Sequence, residues 1–401
     1  MVLWHRHIQW ALAYFFIIAL LGVSLRLFSV MDVPITYRYV VHAHSHIALL
    51  GWVYTALTTL LYFLFLRNKS ITRIYKIFFW ATQATILGML LIFPFTGYAL
   101  LSITFSTLFL FASYFFTHLF LKHSTKTERK LPSHLLLRTA LWYMVLSSLG
   151  PWALGGIMAT AGTDSPWYRN AIYFYLHFQY NGWFLVALCG LFFRMMENFG
   201  IRLSATSFKR FYVLLQVGVV LTFFISILWM KPHPIVYLLA GMGALLQIAA
   251  FSIVLGKVLY ERYHLAIKLP ATTKLFLKFA GITLGVKLIA QVMVVFPAPA
   301  EVISGTIDFV ISYLHWVFLG FVTTGLFAFL YHYGLVSVTK RMFWMYIMTF
   351  MATEVLIFYR GASAAFNLPS LPFYAELLTV ASMLLALVIG WVFVRNLVQT
   401  P

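Results

Sequence analysis

Twelve apolar stretches divide this chain, at residues 8–29, 38–66, 74–96, 98–121, 136–160, 168–195, 209–230, 234–257, 271–296, 304–332, 341–360 and 371–395. Each reaches the length of about 20 residues that crosses a bilayer as a helix. Lipid gives a peptide group no hydrogen-bond partner, so a chain patterned in this way folds as helices. The expected fold is an all-α integral membrane protein with twelve transmembrane helices, and 1–401 is a single membrane domain. With 63% hydrophobic and 9% charged residues, there is too little polar surface to cover a soluble particle of 401 residues. The first stretch resembles a signal peptide in its place and apolarity. Its Leu21–Gly22 pair returns as Leu149–Gly150 and Leu284–Gly285, so it reads as a retained helix.

The net charge of +19 raises the question of a nucleic-acid partner. Most of the 28 lysines and arginines, however, sit at the termini and in the loops near 67–76, 122–138, 194–210, 257–278 and 340–341. These loops alternate with loops nearly free of positive charge, which is the positive-inside pattern of a polytopic protein. The partner implied is the lipid bilayer rather than nucleic acid, with both termini cytoplasmic. Cys189 is the one cysteine, which excludes an internal disulfide and a thiolate metal cluster and leaves histidine as the metal ligand to look for.

A pattern of histidine, four residues, glycine and an aromatic occurs three times: His46 with Gly51 and Trp52, His177 with Gly182 and Trp183, and His315 with Gly320 and Phe321. The histidines are 131 and 138 residues apart, and a basic residue before an aromatic pair recurs around Phe79, Phe211 and Phe343. The chain therefore reads as three four-helix repeats, approximately 1–130, 131–265 and 266–401, in a pseudo-threefold arrangement. One histidine falls on the second helix of each repeat, helices two, six and ten. Each lies roughly two turns, about 12 Å, below the outer end.

Helix two carries three histidines at alternate positions, His42, His44 and His46. Residues four apart share a helix face and residues two apart do not, so His42 and His46 face one side and His44 another. Histidine in lipid is costly without a partner, and ligation of heme or a metal is the leading explanation. Heme suits the setting, because an apolar disc held by neutral imidazoles brings little charge into lipid. Its propionates need cations near the water interface, and Arg38 and Arg169 each stand eight residues before a repeat histidine, at a suitable height. The third copy has Ile307 there. Interhelical hydrogen bonding by the same histidines is the competing explanation.

Further polar residues fall within the spans: Gln83, Gln216, Gln247, Lys287, Glu354 and Glu376. Glu354 is a proton-transfer candidate, with a hydrogen bond to a neighbouring helix as its plainer role. Lys287 is placed to snorkel to the outer surface. His5, His7, His118, His123, His264 and His332 read as solvated or interfacial. The helix glycines, among them Gly88, Gly155, Gly156, Gly241, Gly243 and Gly390, read as positions of close helix packing.

The three four-helix arcs and the histidines on helices two, six and ten resemble subunit I of the heme-copper oxidases and nitric oxide reductases. The segment His44, Ser45, His46 through Gly51 and Trp52 is similar to the His-x-His segment of the cbb3-type oxidases, which lies on helix ten in those enzymes. A His-x-His followed by glycine on helix two is similar to the NnrS family, membrane proteins associated with heme, copper and nitric oxide. The resemblance implies a low-spin heme of b type, held by His46 or its neighbours with His315 as the helix-ten partner. Tyr313 occupies the place of the oxidases' high-spin heme ligand. It further implies copper at His177, with His233 standing where the oxidases have a histidine pair after helix seven. A two-histidine copper site falls short of the three-histidine oxygen-reducing centre. The implied function is a heme-binding redox protein of a bacterial inner membrane, taking electrons from a cytochrome or quinol donor at the outer leaflet, with oxygen or nitric oxide reduction as its catalytic form. The alternatives are a non-catalytic NnrS-like heme or copper protein in the nitric oxide response, and a twelve-helix transporter.

Overall fold

The structure, a computed structural model, describes residues 3–398. Among them every regular element is a helix. Twelve are long and apolar enough to cross a membrane: α1 (Leu3–Leu27), α2 (Tyr37–Leu66), α3 (Thr72–Thr96), α4 (Leu100–His123), α5 (Pro132–Thr160), α6 (Pro166–Asn198), α7 (Ala205–Met230), α8 (Pro234–Tyr260), α9 (Ala271–Val294), α10 (Ile307–His332), α11 (Lys340–Phe366) and α12 (Tyr374–Val398). The chain forms two compact units, Met1–Thr125 with Leu326–Pro401, and Lys126–Gly325.

Helices α2, α6 and α10 are the most enclosed by protein. Of their most apolar 18-residue windows 94%, 78% and 67% are buried, against 28–44% in the other nine. Hydropathy alone does not single them out, since α8 and α12 are more apolar and far more exposed. In a membrane the lipid-facing surface is as apolar as the core, so enclosure follows where small and polar side chains collect. Large apolar side chains instead face outward from α3 and α4, as at Ile77, Leu91, Phe95 and Phe111.

Each of these three helices widens into a π-helical stretch at the residue following its pattern histidine: Ile47–Tyr54 after His46, Phe178–Phe184 after His177, and Trp316–Thr323 after His315. A π turn shifts the helix phase and leaves carbonyls short of regular partners, and such turns are frequent at functional sites. Threonine hydroxyls take up part of that deficit. Thr55 Oγ1 donates to Leu50 O at 3.4 Å, and Thr324 Oγ1 donates to Gly320 O.

The glycine of the pattern has a packing reason at Gly51 and at Gly182. A Cβ at Gly51 would stand 2.9 Å from Tyr14 Cγ on α1, and one at Gly182 would stand 2.6 Å from Tyr143 Cγ on α5. Close packing also accounts for Gly88 against Phe105, Gly243 against α7 and Gly390 against Phe16. It does not account for Gly155 or Gly156, where an added Cβ would meet nothing within 4 Å.

Because the Tyr143 Cβ itself lies 2.7 Å from the added atom, its ring cannot swing clear of a methyl at position 182. Gly182→Ala is expected to destabilise the protein by about 1–3 kcal/mol. Gly281→Ala, where nothing lies within 4 Å, is expected to be neutral or slightly stabilising. Thermal midpoints of the detergent-purified variants check this, and equal midpoints for the two would contradict it.

Candidate functional site

The first turns of α2 carry Arg38, His42, His44 and His46. Arg38 is exposed, and its charge is within electrostatic reach of His42. His46 Nδ1 lies 2.8 Å from His42 O. A carbonyl only accepts, so Nδ1 carries the hydrogen, and Nε2 of the neutral ring presents a lone pair. That lone pair faces the Tyr98 hydroxyl at 3.4 Å, a long contact. His42 and His46 point to one aromatic wall: His42 is edge-on to Tyr98 with ring centroids 4.6 Å apart, and His46 is 4.5 Å from Phe93. His44 turns the other way, toward α1, where its Nδ1 donates to Ile18 O at 3.1 Å. Gly22 leaves room for that ring, since a Cβ there would lie 3.3 Å from His44 Cε1. His42, His44 and His46 are each half-buried.

Tyr98, which the sequence did not flag, owes its position to the turn between α3 and α4. Gly97 has φ 60°, and a Cβ on it would fall 2.4 Å from Tyr39 Cε1, so both backbone and space require glycine. Ser102 locks the turn, donating to Gly97 O at 2.6 Å and accepting from Ala99 N at 2.8 Å. Nothing in the local spacing of the histidines points to residues so far along the chain. In the same unit, Glu354 is buried on α11, and Arg26 of α1 lies within electrostatic reach of Glu354 and Arg360.

In the second unit, His177 is fully buried and uses both ring nitrogens. Its Nε2 donates to Val219 O on α7 at 2.8 Å, and its Nδ1 accepts from Asn181 Nδ2 at 3.2 Å. As a metal ligand it would have to give up one of these bonds. His233 is exposed and caps α8, with Nδ1 accepting from Ile235 N at 3.4 Å. Among the described residues no group of three or more histidine, cysteine or acidic side chains is arranged to hold a metal ion. The Tyr313 ring lies edge-on to Tyr180 of α6, with centroids 6.3 Å apart. His315 keeps partial exposure, and its neighbour Trp316 donates from Nε1 to Thr283 O on α9 at 2.9 Å. Arg169 is engaged: Nε donates to Tyr173 OH at 2.9 Å and the guanidinium lies 4.2 Å over the Trp229 ring.

Two sequence expectations are corrected. Lys287 does not snorkel. It is 1% exposed, and its Nζ donates to Gln247 Oε1 at 3.1 Å. Gln247 Nε2 in turn donates to Thr222 Oγ1 at 2.8 Å and to Gly218 O at 3.2 Å, the carbonyl one residue before the one that receives His177. Helices α6 to α9 thus share one polar seam. The outward direction failed because a partner on α8 competes with the water surface for the amine. His7 is likewise not solvated. It is fully buried, stacked on Phe79 at 3.4 Å between centroids, with Nδ1 3.2 Å from Tyr75 OH.

The donor set at His46 fits an axial ligand: a ring fixed through Nδ1, an imidazole Nε2 with only a long contact, and aromatic neighbours. The donor set at His177 fits a helix-to-helix hydrogen bond. The sequence matches no protein-family model and no curated protein.

The seam makes an asymmetric prediction. Gln247→Leu removes the acceptor of a buried amine and should cost about 1–3 kcal/mol. Lys287→Met removes the amine itself and leaves only the neutral Gln247 Oε1 without its donor, so it should cost less than Gln247→Leu. Thermal unfolding of the purified variants decides, and an equal loss in both would contradict the assignment of Gln247 as the supporting residue.

Proposed function

We propose that this chain is a heme-binding integral membrane redox protein, with the His46 imidazole as an axial ligand in the first unit. The observation that carries this reading is the His46 geometry, in which Nδ1–H is committed to His42 O and Nε2 remains for a ligand. His44 is oriented through Nδ1 in the same manner and is the second candidate on α2. In the second unit His315 heads the corresponding wide turn and is a candidate ligand on its own helix.

When bound, heme would supply a one-electron redox couple. The protein's residues would hold it and set its surroundings. His42 O fixes the ring and the tautomer of His46. Phe93 and Tyr98 form an apolar wall that excludes water, with the Tyr98 hydroxyl able to donate a hydrogen bond at the edge of the site. Arg38, exposed two turns away, is the cation available for a propionate, while Arg169 is already taken up by Tyr173 and Trp229. A heme carrier or sensor, as in the NnrS-like alternative, is favoured over an oxygen-reducing enzyme by one observation: His177 has both nitrogens occupied. Copper at His177 and His233 has no comparable support.

We read the three histidine-led wide turns as copies of one ancestral unit. Support comes from the repeated contacts of Gly51 with Tyr14 and Gly182 with Tyr143, and of Gly22 with His44 and Gly150 with Tyr175. The charge distribution supports cytoplasmic termini; a bacterial inner membrane and a cytochrome or quinol donor are what the family resemblance implies.

An absorption spectrum of protein purified from heme-replete cells tests the function. A Soret band and a reduced α band are expected. Bands that ignore carbon monoxide and nitric oxide indicate an electron carrier, and bands that shift indicate a gas-binding iron. A folded, colourless protein would contradict heme binding.

A further inference from the structure

Where α7 ends and α8 begins, the chain makes a feature that the heme reading does not use. Lys231 has φ 51° and ψ 56°, a left-handed conformation, and it immediately precedes Pro232. Side chains rarely adopt that region, and a following proline disfavours helical conformations further. Strain of this kind persists where the surroundings enforce it, and it collects at ligand clamps. Here it aims the Lys231 side chain at the short helix Pro297–Gly305, where Nζ meets Glu301 Oε1 at 2.7 Å.

Beside this ion pair lies a cavity of about 310 Å³ lined by Trp229, Tyr237, Pro232 and Pro297, with Lys231 and Glu301 at its polar side. The walls are stiff. Three prolines, Pro232, Pro234 and Pro297, border it, and Trp229 is held by Asn170 Oδ1 at 3.1 Å and by Arg169 over its ring. The ion pair is not stiff: its side chains are 71% and 65% exposed, and pairs in that setting are weakly held and readily opened.

The location selects the ligand class. The cavity stands where α7 ends and α8 begins, against the short helix that joins α9 to α10, and its tryptophan and tyrosine are the residues enriched where headgroups meet the hydrocarbon. Immediately alongside, Met230, Ile235, Leu238 and Phe296 are exposed apolar side chains suited to acyl chains. We propose that this cavity binds the headgroup of one zwitterionic phospholipid that carries a primary ammonium. Its phosphate replaces Glu301 on Lys231, and its ammonium replaces Lys231 on Glu301. A cation and an anion side by side match a zwitterion, whereas an anionic lipid would meet the Glu301 carboxylate. A primary ammonium can donate N–H to that carboxylate, which a quaternary ammonium cannot.

Native mass spectrometry of the full-length, delipidated protein tests the site, with phosphatidylethanolamine, phosphatidylcholine and phosphatidylglycerol of identical acyl chains as probes. One phosphatidylethanolamine should be retained at least about tenfold more tightly than either of the others, and Lys231→Ala or Glu301→Gln should abolish that preference. Both side chains are exposed, so these variants are expected to keep the wild-type thermal midpoint. The exchanged pair Lys231→Glu with Glu301→Lys should recover part of the preference. Equal retention of the three lipids, or a preference that survives Glu301→Gln, would overturn the proposal. Displacement of the lipid by soluble phosphoethanolamine at equal concentration would assign the cavity to a free zwitterion and overturn the lipid assignment. None of these readouts depends on heme.

Discussion

An imidazole inside a membrane helix must place both ring nitrogens, because lipid supplies neither donor nor acceptor. A buried nitrogen left unpaired costs about 1–3 kcal/mol, a cost the fold bears at His7 Nε2 and avoids at the pattern histidines His46 and His177. The commitments differ. His177 spends both nitrogens on protein, one on Val219 O and one on Asn181. His46 spends one on the carbonyl a turn behind it and leaves the other against a tyrosine hydroxyl at 3.4 Å. The same pattern of sequence thus produces a structural joint in one place and a candidate ligand in another, and that difference underlies the functional reading.

The polar seam of α6 to α9 follows from the same requirement. Lys287, Gln247, Thr222 and His177 lie on four helices, and each answers the hydrogen-bonding demand of a neighbour or of a carbonyl beside it. Close approach of α7 and α8 makes the seam possible. Gly218 and Gly243 bring the two backbones together, and a Cβ at Gly218 would stand 2.8 Å from Gln247 Cγ. Small residues set the spacing, and polar residues set the register.

Much of the fold was legible in the sequence. Apolar runs longer than a bilayer is thick have one solution, and the expected stretch 74–96 appears as Thr72–Thr96 and 234–257 as Pro234–Tyr260. The special status of helices two, six and ten was legible from the recurring histidine and glycine. The wide turns after those histidines were not, because a π turn reflects packing against neighbours such as Tyr14 and Tyr143 rather than a local residue preference. Helical periodicity gave the opposed faces of His44 and His46. The identity of their partners, Ile18 on α1 and Tyr98 beyond α3, depended on tertiary contacts that spacing does not encode. The directions of Lys287 and His7 failed for the same reason.

The heme-to-protein ratio of purified full-length protein, compared among wild type, His46→Ala and His177→Ala, tests the central claim most directly. The account predicts that His46→Ala loses heme by at least about tenfold, the scale at which a lost ligand or its support shows. His177→Ala should keep its heme while unfolding at a lower temperature. Wild-type heme content in His46→Ala, or heme lost only in His177→Ala, would contradict the assignment of ligand to the first and joint to the second.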